Sequence, residues 1–214
     1  MCRALLRGFR VGVVAIPVVL CSVLEVRAQS TEPVVRVEED WVMVLNQPAN
    51  NVVSPHFFTV MSPDPYLESN YAQVAWNHRE QPNYSSGGLQ LHSCSGEKIV
   101  RYRSVGVQEL STTAETVTWT QVLETDGMAV RFAIVNGQST TWGTFGKDMT
   151  IDMDGSLSSL DSYNPEVSRA NSVVTFGANR VDVMKIVEVR KYGASGLLTV
   201  DTTERVVHKL ASSE

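Results

Sequence analysis

Apolar and polar residues alternate along most of this chain, and the clearest stretch is residues 116–146, TVTWTQVLETDGMAVRFAIVNGQSTTWGTFG. Period-two alternation marks a strand with one buried and one wetted face, because successive side chains leave a pleated backbone on opposite sides. Asp126-Gly127 reads as a two-residue hairpin turn, with glycine taking the positive φ that a primed turn requires. That register sets Leu123 opposite Val130, Gln121 opposite Phe132, Trp119 opposite Ile134 and Val117 opposite Asn136. One face is then mostly large and apolar. The other carries Thr118, Thr120, Val122 and Glu124 with Val135, Ala133, Arg131 and Ala129, and Glu124 and Arg131 lie diagonally on it. Asn136-Gly137 signals a second turn, before a Thr- and Gly-rich rim bearing Trp142 and Phe145.

The same reasoning predicts strands at 36–45, 56–61, 71–79, 89–92, 98–107, 149–153, 173–176, 181–192 and 197–200. Residues 205–210 read as a strand or a short terminal helix. Pro48, Pro63 and Pro65 punctuate the first half, since proline cannot donate to a ladder. Within 71–79, Ala72, Val74 and Trp76 fall on one face and Tyr71, Gln73, Asn77 and Arg79 on the other. Leu89 and Leu91 point inward, Gln90 and His92 outward. Val181, Val183, Val187 and Val189 share a face, with Lys185 the exception. Residues 137–172 are the least regular part. No span of about 12 residues holds a 3.6 period, and no repeat of fixed length is present. The predicted fold class is all-β: an antiparallel β-sandwich or jelly roll of two stacked sheets.

The beginning of the chain changes the picture. Arg3, Arg7 and Arg10 precede an apolar run over 11–24, and Val26-Arg27-Ala28 resembles a cleavage site. Residues 1–28 therefore read as an export signal, and 29–214 as a single β-sandwich domain. An uncleaved anchor, or a lipid on Cys21, are the competing readings; the run falls short of the roughly 20 residues a span needs, and Leu20 is large for a lipoprotein signal. Four of the 18 Lys/Arg and one of the 23 Asp/Glu belong to this segment, leaving 14 against 22, a net charge of −8. Such a surface argues against nucleic acid and anionic lipid, and no membrane span is expected after signal removal. Cys94 alone remains, so no intrachain disulfide forms, and it reads as a small buried residue. The expected location is secreted, periplasmic or the cell envelope.

The segments DWVMVLNQP, GGLQLHS and VTWTQVL…FAIVNGQSTTWGTFG resemble the concanavalin A-like lectin/glucanase class of secreted jelly rolls, over residues 33–203. That class contains binding modules, glycosidases and lyases, so the resemblance implies a fold and leaves the activity open. A retaining glycosidase needs two carboxylates about 5–5.5 Å apart. Glu38 and Asp40 share a strand face but read as a solvated pair on an edge strand, and Glu188 as an isolated surface or salt-bridged residue. Gln90-Leu91-His92 is similar to the Gln-x-His of alginate-type lyases. A polysaccharide (uronate) lyase would add Tyr192 and Arg101 or Arg103, although that family's extended Tyr and Arg-x-Glu-x-Arg motifs are absent. Asp152-Met153-Asp154-Gly155 opens like a calcium loop, but Leu157 and Tyr163 stand where Gly and Glu would be. A self-capping turn is the first reading there, and a structural calcium on Asp152 and Asp154 the second; no other cofactor is expected. No zinc spacing, Gly-x-Ser-x-Gly or phosphate loop is present. The preferred expectation is an exported non-catalytic sandwich binding carbohydrate or another extracellular polymer through Gln73, Asn77, Arg79, Gln90, His92 and Trp142. A structural envelope protein is the remaining alternative.

Overall fold

The computed structural model describes residues 32–46, 55–67, 69–76, 88–105, 110 and 112–211. Residues 1–28, read above as an export signal, and Asn77 and Arg79 lie outside the described residues. Among the described residues, thirteen strands form two antiparallel sheets. The larger has the order β12 (Gly196–Asp201), β11 (Val181–Gly193), β1 (Arg36–Leu45), β6 (Thr116–Thr125), β7 (Val130–Ser139), β8 (Gly143–Phe145). Here β13 (Arg205–Lys209) also pairs with β11, and β9 (Thr150–Asp152) with β7. The smaller runs β10 (Val173–Phe176), β2 (His56–Met61), β3 (Asn70–Trp76), β4 (Leu89–Ser95), β5 (Lys98–Val105). This is the expected all-β sandwich.

Strand β1 organises the larger sheet. It alternates half-buried and buried along its whole length, and it is paired on both sides, to β11 and to β6. Glu38 and Asp40 therefore sit on a central strand, which corrects the edge-strand reading. Inward it sends Val37, Glu39, Trp41, Met43 and Leu45. Trp41 stacks on Trp119 with centroids 5.7 Å apart, Trp119 meets Trp76 at 4.2 Å, and Trp76 stacks on Phe57 at 5.4 Å. Four large rings thus join the two sheets, each burying enough apolar area to dominate its neighbourhood.

The β6–β7 hairpin keeps its predicted faces but shifts its register. Thr125 pairs with Val130 and Leu123 with Phe132, so the loop is Asp126–Ala129 rather than two residues. Asp126 Oδ1 accepts from the amides of Met128 and Ala129, at 2.9 Å each, and these side-chain bonds stabilise the longer loop. A slip of two residues preserves the alternation, which is why Trp119, Leu123, Phe132 and Ile134 are still buried. Glu124 and Arg131 come directly opposite one another. Asn136-Gly137 is not a turn. Strand β7 runs on to Ser139, with Asn136 at φ 54° beside a bulge between Thr118 and Thr120. Phe145 covers Gly137 so closely that an added Cβ would lie 2.3 Å from its ring.

Bulges also overturn the valine face of β11. Register shifts opposite Asp40/Trp41 and Val44/Leu45 insert Val187 and Asp182 as extra residues. Val181, Met184, Ile186 and Val189 face the core, while Val183 and Val187 are only half-buried. One short helix is present without a legible period: α1 (Pro165–Asn171), capped by Asn164, whose side chain accepts from the Glu166 amide at 3.0 Å. Asn-Pro-Glu is a helix-start signal, but seven residues are too few to show a period. No helix among the described residues is long and apolar enough to cross a membrane.

Candidate functional site

The residues expected to bind a ligand are separated by the fold. Gln73, Gln90 and His92 do share the outer face of the smaller sheet, with Gln73 opposite His92 and the His92 Nε2 3.1 Å from Gln90 Oε1. They are not an open polar face, however: Gln90 is 6% exposed and His92 1%. Cys94, in the same row, is buried beside Tyr71; burial pushes its thiol up and the Tyr71 hydroxyl up to about 12. Trp142 is half-buried against the core, stacked on Trp76 at 6.3 Å and edge-on to Phe145 at 5.3 Å. Its ring is therefore held in the sandwich rather than displayed on a rim.

The lyase grouping is likewise not brought together. Tyr192 lies on β11 of the larger sheet, bonded to Glu38 at 3.0 Å. Arg101 and Arg103 lie opposite Ser93 and Leu91, on the face of β5 away from His92, and close the sandwich edge by donating to the Asp152 and Thr150 carbonyls. The two candidate calcium ligands each hold an arginine: Asp154 pairs with Arg101 at 2.9 Å and Asp152 with Arg131 at 3.1 Å.

A different constellation is assembled on the outer face of the larger sheet. The β1–β11 register sets Glu38 opposite Arg190 and Asp40 opposite Glu188, and the β1–β6 register sets Arg36 opposite Glu124 and Asp40 opposite Thr120. Arg190 grips Asp40 bidentately at 2.6 and 2.8 Å, reaches Glu38 at 2.9 Å and also bonds Glu188. Arg36 bonds Glu38 at 2.7 Å and Glu124 at 2.6 Å, and Thr120 donates to Asp40 at 2.7 Å. Burial opposes ionisation of Glu38, but hydrogen bonds from Arg36, Arg190 and Tyr192 outweigh it and hold its carboxyl below the usual range. The same carboxylates hold the Arg190 guanidinium, led by Asp40, further in its charged form.

Beside this cluster lies a shallow groove of about 330 Å³, lined by Asp40, Thr118, Thr120, Asn136, Val187 and Arg190 among others. Two bulges shape it, the Val187 insertion on one wall and the left-handed Asn136 on the other. Sequence reasoning missed the site because its members come from three segments up to about 150 residues apart, and because the bulges displace the alternation. Read alone, Glu188 in Val-Glu-Val carries no signal. No protein-family model, no curated protein and no solved structure matches this chain.

Proposed function

We propose that this protein is an exported, non-catalytic β-sandwich that binds a neutral, hydroxyl-rich polymer such as a polysaccharide in the groove beside Arg190. The carrying observation is the groove itself, where Thr118, Asn136, Asp40 and Arg190 set hydroxyl, amide, carboxylate and guanidinium groups around one open trough, with buried Thr120 holding Asp40 beneath them. Sugars are recognised by such mixed donors and acceptors held rigidly, and here the charged members are fixed by each other before any ligand arrives. Two arginines stand among four carboxylates, Glu38, Asp40, Glu124 and Glu188, so the field disfavours a uronate chain and suits a neutral one. Glu38, held ionised, is a poor general acid, which favours binding over glycoside hydrolysis.

The test is binding of the full chain to immobilised neutral and acidic polysaccharides, compared with Asn136→Gly. Glycine keeps the positive φ at this position and removes only the amide. Binding to a neutral polymer that falls at least about tenfold in the variant, with an unchanged melting temperature, supports the assignment. Undiminished binding by the variant, or a preference for uronates, removes the groove from it.

A further inference from the structure

Among the described residues, six strands lie at sheet margins: β12 and β13 beyond β11, β8 and β9 beyond β7, and β10 and β5 at the ends of the smaller sheet. An edge strand offers unpaired amides and carbonyls to any passing chain, and folded proteins guard such edges with brevity or charge. Strands β8 and β9 have three residues each and β10 has four. Lys98, Arg101 and Arg103 guard β5, and Lys209 guards β13, which has five residues. Strand β12 has neither protection. It is six residues long, GLLTVD, with no Lys or Arg, and its one charge, Asp201, is turned to Arg205 at 2.6 Å and to the Thr203 amide at 2.9 Å. Leu197 is 54% exposed and Val200 48%. A register shift between Lys191 and Tyr192 makes Leu198 an extra residue. Leu197 and Val200, three apart, thereby both reach the outer face opposite Tyr192 and Arg190, while Leu198 packs against the core.

We propose that β12 is a homodimerisation strand that pairs antiparallel with β12 of a second copy. The strand's own pattern selects this occupant. Centred between Leu198 and Thr199, it reads alike in both directions: Leu197 meets Val200 of the other copy, Val200 meets its Leu197, and each Asp201 meets a Gly196. Both exposed apolar residues are covered by cross-strand apolar pairs, and no like charges oppose one another. A slip of one residue would set Val200 against Leu198, whose side chain is turned to the core. The two-fold axis stands perpendicular to the sheet, as it does for any antiparallel pair of identical strands, so the sheets join with their outer faces on one side. The inference stands on the strand alone and is independent of the groove's ligand.

Sedimentation velocity on the full chain across the micromolar range tests it. A dimer is expected for the natural sequence. Leu197→Lys and Val200→Lys, singly or together, place a guard charge on the edge and should weaken association by at least about tenfold. Val206→Lys, at another exposed position on the same sheet, should leave it intact. Thermal melts identify any variant that fails to fold, and either single substitution suffices if the other does. A monomeric natural chain overturns the proposal, as does a dimer indifferent to Leu197→Lys and Val200→Lys or one lost equally in Val206→Lys.

Discussion

Glu39 is fully buried between the sheets and accepts from three donors: Trp41 Nε1 at 3.0 Å, Gln121 Nε2 at 3.1 Å and the Tyr163 hydroxyl. Gln121 in turn accepts from Thr59 at 2.7 Å, and Thr59 from Trp76 at 2.8 Å, so the chain of bonds crosses from one sheet to the other. Burial pushes the Glu39 carboxyl above its ordinary value, against the pull of those donors, and pushes the Tyr163 hydroxyl well up too. A raised carboxyl stabilises the fold fully below the unfolded value of about 4.3, and its contribution shrinks as pH rises through the folded value. Glu39→Ala leaves three buried donors without an acceptor and should cost about 3 kcal/mol or more. Glu39→Gln keeps an acceptor for the Trp41 indole and the Gln121 amide, offers its own amide to the Tyr163 oxygen and removes the ionisation. Urea midpoints should therefore favour the natural chain over Glu39→Gln more at pH 5 than at pH 8. A gap that widens with pH would contradict this assignment.

At the scale of elements, alternation carried the prediction where strands are regular and misled where they are not. Strand β1 was legible because all ten of its residues keep strict period, although nothing in EED says that the middle acid is the buried one. That placement follows from phase: Trp41 and Met43 fix the inward face, and Glu39 comes with them. Strand β11 was legible as a strand but not as a surface, since each bulge inverts the alternation beyond it. The polar cluster depends on that inversion, for if alternation ran through Val187 without a bulge, residues 188 and 190 would turn to the core. Arg190→Gln tests how much the cluster contributes to the β1–β11 pairing. It leaves Glu38, Asp40 and Glu188 close together without their shared cation, and should cost about 2 kcal/mol near pH 7. Glu38 has a lowered folded value, so its stabilisation is present above about pH 4.3 and is lost as pH falls through that lowered value. The deficit of Arg190→Gln should accordingly narrow between pH 7 and pH 3 in chemical denaturation. An unchanging deficit would mean that packing of the arginine stem, not charge, is responsible.

Across the whole molecule, the fold class was readable from the sequence because two stacked sheets need little more than many short alternating strands and turns. The binding residues were not, because pairing partners are chosen over distance. Gln90 and His92 alternate correctly and share a face, yet both side chains are buried there. The open face belongs to the other sheet and is written in three separated pieces. On that face four carboxylates surround two arginines.

The position of β1 between β11 and β6 has a consequence for how the chain comes to be folded. The strand made first is closed on one side by β6, but its other side must wait for β11, whose pairing partners lie roughly 150 residues later. Long-range antiparallel pairing of this kind folds slowly, on the order of milliseconds to seconds. A chain cut after Arg180 lacks β11, β12 and β13, and with them Met184, Ile186 and Val189 of the core. It should be digested by a protease under conditions that the full chain survives, and a resistant fragment would show that the part before β11 folds alone. During synthesis, then, the larger sheet has no partner for the open side of β1 until β11 has been made.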